Sequence, residues 1–136
     1  MRKILIIFLL IFFIITYSSI NDNKIIEIVI YKVDFDILTP FSWECDDFIE
    51  IIGNKTLPIK IRDENKIYEF QEHLESLEFT NDTIKNIKTI DTRAKIFIFY
   101  KNRLIDTICV SKYKILFNDK IAKSNLDFIE FIKKVN

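Results

Sequence analysis

Apolar positions recur along this chain with two different periods. Tyr31, Val33, Phe35 and Ile37 alternate with Lys32, Asp34 and Asp36. A period of two marks a half-buried strand. Ile28 and Ile30 make both faces of its start apolar, so one strand is expected over Ile25–Ile37, ended by Thr39-Pro40. Between Phe41 and Ile52, apolar Trp43, Phe48, Ile49, Ile51 and Ile52 interleave with Glu44, Asp46, Asp47 and Glu50. A strand-like crossing and a short helix from Asp46 or Asp47 both fit. Gly53-Asn54 signals a turn. Leu57–Ile61 reads as a short strand that Pro58 places at a sheet edge.

The period then changes. Ile67, Phe70, Leu74 and Leu77 form a helical stripe, with Asp63 as cap and Glu64 in the first turn. This helix is expected to end near Phe79, before the polar Thr80-Asn81-Asp82. Residues 84–92 read as a connector. Ala94–Tyr100 is β-branched or aromatic over most of its length and apolar on both faces, as in a central strand. Lys101-Asn102 predicts a hairpin, Leu104–Val110 the returning strand, Tyr113–Phe117 a third strand and Asn118-Asp119 another turn. Ser124 with Asp127 resembles a capping box before the apolar positions Leu126, Phe128, Ile129, Phe131, Ile132 and Val135. Lys133 and Lys134 suit the end of that helix. The order predicts an α+β, two-layer domain over residues 24–136: a mainly antiparallel sheet of about five strands against two helices.

The head of the chain obeys neither period. Arg2 and Lys3 precede an unbroken apolar run, Ile4–Ile15, and Thr16, Tyr17, Ser18 and Ser19 close it. A bilayer-spanning helix needs about 20 apolar residues. The run is shorter, so residues 1–18 read as a signal peptide cut after Ser18, with an uncleaved membrane anchor over residues 4–17 as the alternative. No cysteine follows the run, which disfavours lipid attachment there. The expected location is exported, periplasmic or extracellular.

Composition narrows the function classes. The chain has 20 basic and 20 acidic side chains. Loss of Arg2 and Lys3 leaves a mature charge of about −2, which argues against a nucleic-acid binder. Lysines and arginines are scattered, so no polybasic membrane patch forms. Gly53 is the only glycine, which excludes phosphate loops and dinucleotide fingerprints. Cys45 and Cys109 are the only cysteines. A disulfide and two buried free thiols are both compatible with their positions.

Candidate chemistry is sparse. His73 is the only histidine, placed at the rim of a helical stripe, and no serine sits in a glycine-flanked nucleophile turn. Asp34-x-Asp36 does not continue into a calcium loop, because Thr39 stands where a glycine is required. The cysteines and histidine lack zinc spacing. No catalytic, metal or cofactor residues are nominated. Asn54-Lys55-Thr56 and Asn81-Asp82-Thr83 are glycosylation sequons, meaningful only in a eukaryotic cell. Trp43, with Glu44, Asp46 and Asp47, is the candidate partner surface; Trp43 as a core residue is the competing reading.

The leader, the strand Ile28–Phe35 running into Leu38-Thr39-Pro40, the segment Ile90-Asp91-Thr92-Arg93 before an aromatic strand, and the closing helix after Asn118-Asp119 together resemble small exported bacterial proteins rather than any named family. The resemblance implies export and fold, and no chemistry. The expected function is a non-enzymatic envelope protein that binds another protein, inhibitor-like or immunity-like. A small-ligand-binding or structural envelope component is the alternative, and a carboxylate-dependent hydrolase ranks third.

Overall fold

The computed structural model describes residues 23–53, 56–83, 90–118 and 120–136. The expected leader and the two sequon asparagine side chains lie outside the described residues. Ten elements follow in order: β1 (Ile25–Lys32), α1 (Phe48–Ile52), β2 (Ile59–Ile61), α2 (Glu64–Glu75), β3 (Phe79–Thr83), β4 (Ala94–Tyr100), β5 (Ile105–Val110), β6 (Ile115–Phe117), β7 (Lys120–Ala122) and α3 (Leu126–Lys134). The fold is α+β, as expected from the sequence. The sheet is larger than expected: among the described residues it has seven strands in the order β2-β1-β4-β5-β6-β7-β3, with three helices. Every pairing is antiparallel.

Register sorts the side chains onto two faces. Ile30, Ile96, Ile108 and Phe117 are directly opposed across β1, β4, β5 and β6. With Ile28, Ile98, Val110 and Ile115 they form the face on which α2 and α3 lie. Asp63 caps α2 by accepting from the Lys66 amide at 3.0 Å. Helix α2 buries Ile67 and Phe70; α3 buries Phe128, Ile129 and Ile132. Phe70 and Phe128 meet edge to face at 5.9 Å, which joins the helices over the sheet. His73 stacks on Phe131 at 4.3 Å and extends this aromatic seam.

Four expectations need correction. The first strand stops at Lys32 although the alternation continues to Ile37. Asp34 Oδ1 accepts the Asp36 amide at 2.8 Å, and the Ile37 amide bonds Asp34 O, so a local turn replaces the ladder. The polar segment after α2 is a strand: Phe79 pairs with Ala122 and Thr83 with Lys120. The last helix is capped by Asn125 rather than Ser124; Asn125 Oδ1 accepts from the Phe128 amide. The hairpin loop is longer than a two-residue turn. Arg103 bonds back to Tyr100 O, Tyr100 to Leu104 O, and Arg103 takes a positive φ of 68°.

Lysine 32 also shapes the helical layer. Its ammonium donates to the carbonyls of Ile132, Lys133 and Val135 at the end of α3. These carbonyls have no intrahelical donors, and the negative helix end favours a cation there. Burial acts in the opposite sense and lowers the Lys32 pKa.

Candidate functional site

Of the crossover between β1 and β2, residues 33–53, Phe35 joins the helical-side core, and the stretch carrying Trp43 and Cys45 is tied to the opposite sheet face. The face carries Tyr31, Lys95 and Cys109, opposed across β1, β4 and β5. Cys109 is fully buried and forms a disulfide with Cys45, with Cα atoms 5.8 Å apart. Lys95, beside Cys109 in the register, donates to Cys45 O at 2.8 Å. One covalent bond and one charged hydrogen bond therefore converge on a single crossover residue.

A second attachment lies next to it. The Thr92 amide donates to Trp43 O at 2.8 Å, and the Trp43 amide donates to Asp91 Oδ1. Arg93 is 4% exposed and pairs with Asp91. Its Nη2 also reaches Thr39 Oγ1, and its guanidinium lies 5.5 Å from the centre of the Trp43 ring. Nε and Nη1 find no hydrogen-bond partner among the described residues. The π face of Trp43 offsets part of that loss. Trp43 then packs on Phe48, the fully buried residue that opens α1. Gly53, at φ 51°, ends this helix in a conformation that other residues adopt at a cost.

The sequence-selected surface residues thus divide. Trp43 is half-buried and acts as the inner anchor of the crossover, whereas Glu44, Asp46 and Asp47 are exposed. Asp91, Arg93 and Lys95 were missed as site residues. Their signal was present: Arg93 and Lys95 flank and enter a strand that is otherwise apolar on both faces, and buried cations require partners.

Residues 33–53 contain Asp34, Asp36, Glu44, Asp46, Asp47 and Glu50 and no Lys, Arg or His. Apolar side chains stand out among these acids. Leu38 is 95% exposed and Phe41 65%. Most small folded proteins expose single apolar residues; here two large ones lie three residues apart on a short acidic segment. Asp36 pairs with Lys112 at 2.8 Å, which lowers its pKa. Lys24 and Lys123 likewise lower Glu64 and Glu78. These shifted carboxylates are exposed and held ionised, the opposite of what a general acid needs. Among the described residues no three His, Cys, Asp or Glu side chains gather in a way that holds a metal ion. No helix among them is long and apolar enough to cross a membrane.

A groove of about 490 Å³ lies on the helical side of the sheet, between β2, α2 and α3. Ile59, Ile61, Phe131 and Val135 contribute its apolar lining.

These features define a small antiparallel α+β domain whose second sheet face is tied to a disulfide-anchored acidic crossover. No family model, no curated relative and no solved structure matches the chain.

Proposed function

We propose that this chain is an exported envelope protein, periplasmic or extracellular, that acts by binding another protein in the manner of an inhibitor or immunity factor. The apolar head with its Arg2-Lys3 start supports export, and the Cys45–Cys109 disulfide supports it independently, since such bonds persist in oxidising compartments. In this reading residues 1–18 are a cleaved signal.

The observation that carries the binding role is the crossover: Leu38 and Phe41 exposed on a segment with six carboxylates and no cation, anchored at Cys45 and Trp43. Anchoring reduces the ordering entropy that a loop otherwise loses on binding. The complementary partner is basic around an apolar pocket. The test is affinity capture from cell envelopes with the wild-type protein and with Leu38→Asp/Phe41→Asp. A stoichiometric partner held by wild type and lost by the double variant is expected. No partner under mild conditions, or equal recovery by both proteins, refutes the role.

The groove beside β2 favours a second reading, a small-ligand-binding or structural envelope component. It is an open groove between sheet and helices with apolar lining, a common setting for ligands.

A further inference from the structure

The crossover holds one peptide bond between two clamps. We propose that the Phe41–Ser42 bond is the reactive bond of an inhibitor loop, and that the partner is a serine protease whose apolar specificity pocket takes the Phe41 ring. The inference rests on the binding role given above and names the partner of that same surface.

Three observations carry it. First, the segment is presented in the way a protease reads a chain. Leu38, Phe41 and Ser42 are exposed. No backbone group of residues 38–42 forms a hydrogen bond among the described residues. Those groups are free to pair with the edge of a partner. Pro40 fixes its own φ at about −65° and holds Thr39 extended. Second, one stretch, Asp91–Arg93, grips the segment on both sides of the bond. Arg93 Nη2 donates to Thr39 Oγ1 at 3.3 Å, ahead of Phe41. Beyond Ser42, the Thr92 amide donates to Trp43 O at 2.8 Å and the Trp43 amide donates to Asp91 Oδ1. Arg93 is buried, so this grip belongs to the core. Third, the Cys45–Cys109 disulfide lies on the Ser42 side of the bond and ties that side covalently to β5. A partner that only covers apolar side chains gains nothing specific from restraints on either side of a single peptide bond. An enzyme that attacks the backbone does, because they fix the position of the reacting carbonyl and of its leaving group.

The chemistry follows from that tether. The protease serine hydroxyl adds to the Phe41 carbonyl carbon, and its proton passes to the enzyme's histidine. The carbon–nitrogen bond breaks, the Ser42 nitrogen takes that proton, and Phe41 is left as an acyl ester. In an ordinary substrate the amine departs and water completes hydrolysis. Here the bonds at Trp43 and Cys45 keep the Ser42 amine beside the ester. The amine attacks again, re-forms the peptide bond and returns the serine. Its high effective concentration favours this step over attack by water.

The probe is α-chymotrypsin, whose specificity pocket is a hydrophobic slot, assayed on a chromogenic peptide while the disulfide-bonded protein is titrated in. Inhibition with a Ki below about 1 μM is expected. Phe41→Lys should weaken it about 100-fold or more. The same variant should inhibit trypsin, whose pocket carries an aspartate. Thr39→Val should weaken inhibition of chymotrypsin about fivefold and speed cleavage of the Phe41–Ser42 bond, and Thr39→Ser should restore both. Mass spectrometry after long incubation and reduction should find slow cleavage at that bond ahead of any other. Absence of inhibition overturns the proposal. So does inhibition that Phe41→Lys leaves unchanged. Rapid, complete cleavage at Phe41–Ser42 without inhibition makes the segment a substrate and also overturns it. A partner captured from envelopes and lost by Leu38→Asp/Phe41→Asp, with chymotrypsin uninhibited, sinks this inference and leaves the binding role standing. Inhibition that switches to trypsin with Phe41→Lys, without an envelope partner, upholds the inference and refutes the envelope partner alone.

Discussion

Replacing both half-cystines, as Cys45→Ala/Cys109→Ala, should lower stability by about 4 kcal/mol through the unfolded chain. The bond joins residues 64 apart. The chain-entropy relation for a loop of that size gives about 14 cal/mol/K, or about 4 kcal/mol at 25 °C. Losing the packing of the fully buried Cys109 sulfur adds about 1 kcal/mol. Domains of this size are stable by about 5–15 kcal/mol, so the variant keeps a fraction of its margin. Urea unfolding followed by Trp43, the only tryptophan, measures the loss as a fall in midpoint. The same fluorophore reports the native crossover. Its amide and carbonyl are held by Asp91 and Thr92 independently of the sulfurs. Emission without denaturant should therefore stay near the wild-type wavelength while the midpoint drops. A loss below about 1 kcal/mol would refute the loop-closure argument. A native-state red shift would refute the claim that the Trp43 hydrogen bonds hold the crossover unaided.

Other outcomes follow from single contacts. Asp91→Asn removes the charge partner of the buried Arg93 and should cost about 2 kcal/mol in urea unfolding; the cost stays below the 3–5 kcal/mol of a fully buried pair because Asp91 is 39% exposed. Lys32→Met strips the ammonium from three carbonyls at the end of α3 and should cost about 1–2 kcal/mol, with faster amide exchange in the last turn of that helix. Burial, then the hydrogen bond to Asp106, raises the Tyr100 pKa above its ordinary value of 10.0. A raised folded-state pKa contributes stability that is complete below pH about 10 and is lost as pH rises further. Tyr100→Phe should abolish that part of the alkaline fall in urea midpoint. Arg103→Gly relieves a positive φ and should raise stability by about 1 kcal/mol in thermal or urea unfolding; no gain would show the backbone there is unstrained.

The legible parts of the fold were those where local chemistry and tertiary packing agree. Ala94–Tyr100 is apolar on both faces and is paired on both sides, by β1 and β5. Pro58 placed its strand at an edge, and Asp63 placed a helix start. The short helix offered for Asp46 or Asp47 onward is α1. Illegible parts were those where a distant partner decides. Asn81 and Asp82 disfavour a strand, and pairing with β7 supplies the ladder. Lys120–Ala122 is too short to show a period. The alternation through Ile37 misled because Asp34 Oδ1 accepts the Asp36 amide and turns the chain. The same holds for the crossover. Its acids and Trp43 were visible, but their attachment to Asp91, Arg93 and Lys95 depends on a contact across about 50 residues.

The pairing of β1 with β4 has a consequence for how the molecule is made. Ile30 meets Ile96, and β4 in turn needs β5 as far as Val110. The first strand therefore waits, unpaired on its long side, until most of the polypeptide has been synthesised. Closing so large a span early is entropically disfavoured. A nascent chain built this way completes its central ladder only once its last third has arrived.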